Sequence, residues 1–466
     1  MADRFPACPL QARQAGGPPA LTAGTAVFRR TRLFSQSLSG EWSQGAVSAG
    51  AREECWRGRG VSDSLSAVPS PSVTASPPRQ HLQAVGFAAG FAVVCAAVAV
   101  LLCSRAENNF IYGFADELSD LKLQGVALQK TAFTHPDLLV LYGSSELAKP
   151  VTNKASDFFE KYPTGFRIFP VGKPGTTSLA VMQKLAAVGR FLKGRKVAFS
   201  ISPSYFLEEE VNADYYEGNF SALQANELAF SRHLSPELKR DAARRMIFFP
   251  ETIEGNWTLE FGLRRLAGDT LLDHFLYAAI WPLGRLGNIV GRAQDHIEAG
   301  LRIAANSEDK NPKPGKIPGL NWKEVFRKTS VKVKATKPPV SPRLVKRPKG
   351  SRDAEFLHAL KEADEWDDLE LLLRTLREME AEPLLLSMPL HGVDLEKTGV
   401  SSKARMAYGD QLKAMAAKYK TPLVYFQQYE NDATFFADNL DHPGERGWVL
   451  FDKVLDDFYQ GRLKTQ

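Results

Sequence analysis

Between Ala84 and Cys103 stand twenty consecutive residues with no charge and no strongly polar side chain. At about 1.5 Å of rise per residue, a helix of that length spans the roughly 30 Å apolar core of a bilayer. The run is longer than the apolar part of most signal peptides, and "LLCSRAENNF" after it holds no clean small-residue cleavage pattern. The reading is a retained single-pass transmembrane anchor over 84–103. Arginine is abundant before the run, with Arg79 nearest, whereas Arg105 after it is soon met by Glu107. The positive-inside tendency then puts the N-terminus in the cytoplasm and the main domain outside, at the cell membrane. Residues 1–80, rich in Ala, Gly, Ser, Pro and Arg, show no periodicity and read as a disordered tail. A start codon placed too far upstream would account for them equally well.

The four cysteines, Cys8, Cys55, Cys95 and Cys103, all lie at or before the end of that run. The part beyond the membrane therefore has no disulfide, no thiol nucleophile and no Cys-ligated zinc. The formal charge of +6 is also local, because residues 306–352 alone carry fourteen Lys and Arg against three acids. With the rest of the chain acidic on balance, a nucleic-acid partner is not expected. The basic segment reads first as a solvated surface loop, and second as a contact for anionic lipid or a polyanionic polymer.

Beyond the anchor, five short apolar runs have the length of buried parallel strands: "LLVLYG", "FRIFPVG", "KVAFSIS", "PLLLSMP" and "PLVYFQ". Helix-like sequence separates them, including "TTSLAVMQKLAAVGRFLKG", which opens on a threonine at a capping position. Unbroken apolar runs need both faces covered, so the fold class is α/β, with helices layered on a five-stranded parallel sheet. Between the third and fourth runs lies an insertion, 204–352, helical first and Lys/Pro-rich last. Its apolar stretch "LLDHFLYAAIWPLGRLGNIVG" is interrupted by Asp273, His274, Pro282 and Arg285, which fits a buried or membrane-surface helix better than a second span.

Ligands of open parallel sheets sit at the carboxyl ends of the strands. There the sequence places Gly143-Ser144-Ser145-Glu146, Gly172 followed by Lys173-Pro174-Gly175-Thr176, Ser202-Pro203, His391-Gly392, and Asp438-Asn439-Leu440-Asp441-His442. A nucleophilic serine needs a sharp strand-to-helix turn, an imidazole base and amide donors for the oxyanion. Ser145, His442 and the acids beside it supply these types, although an isolated Gly-Ser-Ser turn is usually only a turn. Glu146 could pair with a substrate amine, or simply occupy the first turn of a helix, where the dipole favours a carboxylate. His391 fits a strand-end cap better than a cleft residue. Trp448 and Phe451 have helical spacing and read as core. The histidines lack metal-ligand spacing, so neither a metal site nor a cofactor is expected.

Taken together, "LYGSSEL", "VGKPGTTSL", "SISPSYF", "DLELLLRTLREMEAEPLLLSMPLHG" and "DHPGERGWVLFDKVLDDFY" resemble the D-alanine transfer protein family, DltD, over residues 110–462. The resemblance implies a three-layer SGNH-hydrolase-like domain from residue 106 to the C-terminus. It also implies Ser145 as nucleophile, His442 as general base and Gly172 near the oxyanion. The implied activity is D-alanyl transfer in the cell envelope, with teichoic acid or another glycan as acceptor. The implied partners are a membrane-bound O-acyltransferase and a D-alanyl carrier protein. Two positions depart from the pattern. The acid usually three residues before the histidine is here Asn439, leaving Asp438, slightly preferred, or Asp441 for that role. The usual oxyanion asparagine after the third strand is Ser202, whose hydroxyl would have to serve with backbone donors. An ester hydrolase of the same fold and a non-catalytic scaffold for the transfer machinery are the competing readings.

Overall fold

The computed structural model describes residues 78–115, 117–305, 313–316, 319–334, 345–438 and 441–463. The tail through residue 77 and Asn439 lie outside the described residues. The five apolar runs form strands β1 (Leu138–Tyr142), β2 (Arg167–Val171), β3 (Lys196–Ile201), β4 (Glu382–Ser387) and β5 (Leu423–Tyr425). All neighbours pair in parallel, in the order β2-β1-β3-β4-β5, with Val140 opposite Phe169 and Val197, and Phe199 opposite Leu385. Every residue of β1 and β2 is buried, which is why neither strand shows a polar alternation.

Each face of the sheet has its own helices. Leu139, Leu141, Ile168, Ala198, Leu384 and Leu386 share one core with Phe158 and Phe159 of the helix Ala155–Lys161 and with Trp448, Phe451 and Leu455 of the helix Glu445–Tyr459. Trp448 is fully buried. An aromatic side chain removes about 150–250 Å² from water, roughly 4–6 kcal/mol at about 25 cal/mol per Å², as an upper bound. Its Nε1 has no hydrogen-bond acceptor, which offsets about 1–3 kcal/mol of that. On the other face Tyr142 stacks on Phe199, with ring centroids 5.6 Å apart, and donates to Gln129 Oε1 at 2.7 Å. Ser387 meets Tyr408 of the helix Ser402–Lys418 there, and Tyr408 touches Trp366 of the helix Glu365–Glu378.

The helix Ser178–Val188 packs along Glu365–Glu378. Its start corrects the expected threonine cap. Thr177 makes no side-chain capping bond, and the Ser178 N–H instead donates to buried Glu365 Oε1 at 2.8 Å. A carboxyl group from a distant helix serves the orphan donor, so no local motif could announce it.

The apolar run lies inside a 33-residue helix, Pro78–Phe110, the one helix among the described residues long and apolar enough to cross a membrane. Its C-terminal end packs against the insertion's longest helix, Leu271–Ala305. Glu107 accepts from or pairs with His296 Nδ1 at 2.8 Å, and a side chain on Gly300 would strike Cys103. The long helix continues through Pro282 and is two-sided. Asp295 is buried and accepts from the Val126 and Ala127 N–H groups at 2.7 Å each, whereas Leu271, Phe275 and Ile289 are exposed. The basic segment is also less loop-like than its composition suggests. The helix Trp322–Lys334 packs on Glu445–Tyr459, with Trp322 stacked on Phe158 and its Nε1 donating to Asp456 Oδ2 at 3.2 Å.

Candidate active site

Four segments converge at the carboxyl edge of the sheet, around the point where the order reverses from β1–β2 to β1–β3. β1 ends at Tyr142, and after Gly143 and Ser144 a short helix, Ser145–Ala148, begins on Ser145 itself. The turn is tight. A Cβ on Gly143 would strike the Glu146 carboxyl, and one on Gly172 would land on the Gly143 carbonyl oxygen. Glycine at both positions lets the β1 and β2 loops close on each other.

Ser145 is half-buried, and its Oγ lies 2.7 Å from His442 Nε2. His442 Nδ1 lies 2.7 Å from Asp438 Oδ2, and the Lys149 ammonium bonds the same oxygen at 2.9 Å. With Asp438 accepting from Nδ1–H, the other ring nitrogen is left to accept from the serine hydroxyl. The loop bearing the pair is pinned at its base. The Ala437 N–H donates to the His442 carbonyl at 2.9 Å, and the Gly444 N–H to the Phe435 carbonyl at 2.7 Å.

Asp441 turns elsewhere. Its Oδ2 accepts from the Ser202 hydroxyl and from the Ser204 N–H at 3.2 Å. The structure thus brings Asp438 to the imidazole, four residues before it, and joins Asp441 to the β3 loop. Ser202 spends its proton on Asp441, with Ser204 Oγ 2.8 Å away.

Burial alone pulls the His442 imidazole down. The hydrogen bond to Asp438, with the charges of Asp441 and Asp438, outweighs this and sets it above the ordinary histidine value, with Lys149 opposing. Glu146 does not point into an open cleft. It is buried, its Oε1 accepts from the Ser144 N–H at 2.9 Å, and burial raises its carboxyl above the usual range despite that bond. Ser144 shares a 2.6 Å hydrogen bond with Tyr205 and contacts the Lys173 carbonyl at 3.4 Å. His391 borders the site, its ring centroid 4.5 Å from that of Phe436, with burial lowering its basicity. Among the described residues no set of three His, Cys, Asp or Glu converges as a metal site.

Lys149, Tyr205 and Ser204 were not singled out by sequence reasoning. Lys149 stands one helical turn after Ser145, and Tyr205 and Ser204 lie within "SISPSYF", so spacing from the recognised motifs could have found them.

The fold and site define a class: an α/β protein carrying a serine–histidine–aspartate array at the carboxyl edge of a parallel sheet, the arrangement that nucleophilic-serine enzymes use. The model of the DltD protein family matches residues 115–460, and the chain belongs to that family. It is 27% identical over 369 residues to Protein DltD of Bacillus subtilis (strain 168), covering 74% of this chain and 88% of the relative. It is 23% identical over 359 residues to Protein DltD of Staphylococcus aureus (strain NCTC 8325 / PS 47), covering 75% and 88%. Protein DltD of Lacticaseibacillus rhamnosus is 23% identical over 378 residues, covering 78% and 85%.

Proposed function

We propose that the protein is a membrane-anchored serine acyltransferase that places D-alanyl groups on a hydroxyl-bearing polymer of the cell envelope. The observation that carries this reading is the continuous array Ser145 Oγ, His442 Nε2, His442 Nδ1, Asp438 Oδ2, with both links at 2.7 Å. Membership of the DltD family supplies the acyl group.

In the first half-reaction Ser145 Oγ attacks the carbonyl carbon of the D-alanyl donor while its proton passes to His442 Nε2. The tetrahedral adduct collapses, the donor's leaving group takes the proton from His442, and the D-alanyl ester remains on Ser145. An acceptor hydroxyl then attacks the ester carbonyl and gives its proton to His442; the second adduct collapses to the acceptor's D-alanyl ester as His442 returns the proton to the departing Ser145 Oγ. Asp438 holds the imidazole and stabilises its cation, with Lys149 fixing the carboxylate. Because Ser202 donates to Asp441, the oxyanion is assigned to backbone N–H groups on the Ser145 and Gly172 side of the cleft. The Pro78–Phe110 helix anchors the domain on the outer face of the membrane. A membrane-bound O-acyltransferase fed by a D-alanyl carrier protein is the proposed source of the acyl group.

The test is complementation of a strain lacking the gene, reading ester-linked envelope D-alanine. Ser145→Ala and His442→Ala are each expected to abolish it. Unchanged D-alanine with Ser145→Ala would make the protein a scaffold. Ester turnover with water that no polymer accelerates would make it a hydrolase.

A further inference from the structure

The Ser178–Val188 helix starts beside the Ser145 loops and ends, about 16 Å away at 1.5 Å per residue, at a cavity. This cavity of about 250 Å³ is lined by Lys130, Arg190, His233, Arg285 and Arg292, with Phe191 in its wall. Glu227 is the single carboxylate in the lining, and Arg292 already holds it through two nitrogens. Among the described residues Lys130, Arg190 and Arg285 form no ion pair with a carboxylate, although Glu227 and Asp295 act on Lys130 from a distance. Lys130 and Arg190 stand over the Phe191 ring at 5.9 and 5.8 Å, and Arg285 donates to the Phe230 carbonyl at 3.4 Å. Burial first, then the charge of Arg292 and, more weakly, of Arg190, push the Lys130 ammonium down to about 8 against the opposing pull of Glu227 and Asp295. Packing cations this way costs stability unless something negative enters.

We infer that this cavity is a binding site for a phosphate group. The cations come from three elements, the helix Ala127–Thr134, the turn Gly189–Leu192 and the long helix Leu271–Ala305, and so approach from different directions. That distribution suits the oxygens of a tetrahedral phosphate better than one planar carboxylate, and arginine forks bind such oxygens in pairs. The volume falls below the roughly 300–1,000 Å³ of drug-sized ligand sites, so a single phosphate group fits and a polymer segment does not.

Position narrows the source. Gly300 lies against Cys103, the end of the apolar run, and Arg292 stands eight residues earlier, about 12 Å along the helix. With the run in the bilayer, Arg292 stands at most about 12 Å from the end of the apolar span, near the headgroup layer. The phosphate belongs either to a lipid headgroup or to a small soluble phosphate. The inference stands on this cavity and is independent of the role of Ser145.

The experiment uses the full chain in neutral detergent. Inorganic phosphate is titrated by calorimetry, and retained phosphatidylglycerol is counted by native mass spectrometry. Saturable phosphate binding, or retention of one lipid, is expected to weaken at least tenfold in the Arg190→Gln/Arg285→Gln double variant. Phosphate binding without lipid retention assigns a soluble source, and lipid retention assigns a headgroup. Glu227→Gln, which frees Arg292, is expected to tighten whichever probe binds, and it decides the matter if the double variant does not fold. Failure of both probes to bind the wild type overturns the inference. So does unchanged binding by a folded double variant, or by Glu227→Gln.

Discussion

His442 must be neutral to accept a proton, and its environment makes that harder at low pH. Burial favours the neutral ring, but Asp438 and Asp441 raise its pKa above the ordinary value of about 6.5. Labelling of Ser145 by a serine-directed phosphonate is therefore expected to rise with pH through a midpoint above that value. Asp438→Asn should move the midpoint down and slow labelling on the order of 10²–10⁴-fold, as seen when an orienting carboxylate is lost. Asp441→Asn should leave labelling within about tenfold of wild type, since that carboxylate bonds Ser202 and Ser204 rather than the imidazole. The same shift enters stability. A raised folded pKa binds protons that the unfolded chain has released, so its stabilisation is complete below the unfolded value and lost as pH rises through the folded one. Urea melts of wild type and His442→Gln should differ more at pH 6 than at pH 9. At this scale Ser145 and His442 were legible because motif and chain order survive in sequence. The choice between Asp438 and Asp441 was not, because a loop closed by Ala437 and Gly444 sets which carboxylate faces the ring.

Glu365 shows how one element is completed by another. It is buried, it caps the Ser178–Val188 helix, and burial together with neighbouring Asp368 raises its carboxyl to about 8. Between the ordinary value near 4.5 and that value, the folded state binds the extra proton, so stability falls as pH rises. Glu365→Gln keeps an oxygen acceptor for Ser178 and removes the charge. It should raise Tm at pH 8 and change it little at pH 4, measured by calorimetry. Gly172→Ala should act the other way, lowering Tm and slowing Ser145 labelling together, because its methyl would occupy the place of the Gly143 carbonyl. Strands were easier to read than caps: five apolar runs fix the sheet because burial on both faces demands them, while a capping partner 187 residues away leaves no local trace.

For the whole molecule, the sequence exposed the sheet and the N-terminal apolar helix but not how the insertion joins them. Its long helix carries buried Asp295 on one side and bare leucines on the other, and it meets the N-terminal helix through Gly300 and His296. None of these is an apolar-periodicity signal. The helix Trp322–Lys334 was hidden for a different reason: Trp322, Val325 and Phe326 anchor it at helical spacing, but they sit in a Lys/Pro-rich segment whose overall composition is that of a solvated loop. The proposed reaction rests on the Ser145–His442–Asp438 array, and the decisive measurement is intact mass of the detergent-solubilised full chain after a fluorophosphonate probe. One adduct is expected, mapped to Ser145, absent in Ser145→Ala and strongly reduced in His442→Ala. No adduct on folded protein, or an adduct indifferent to His442, would contradict a serine acyltransferase.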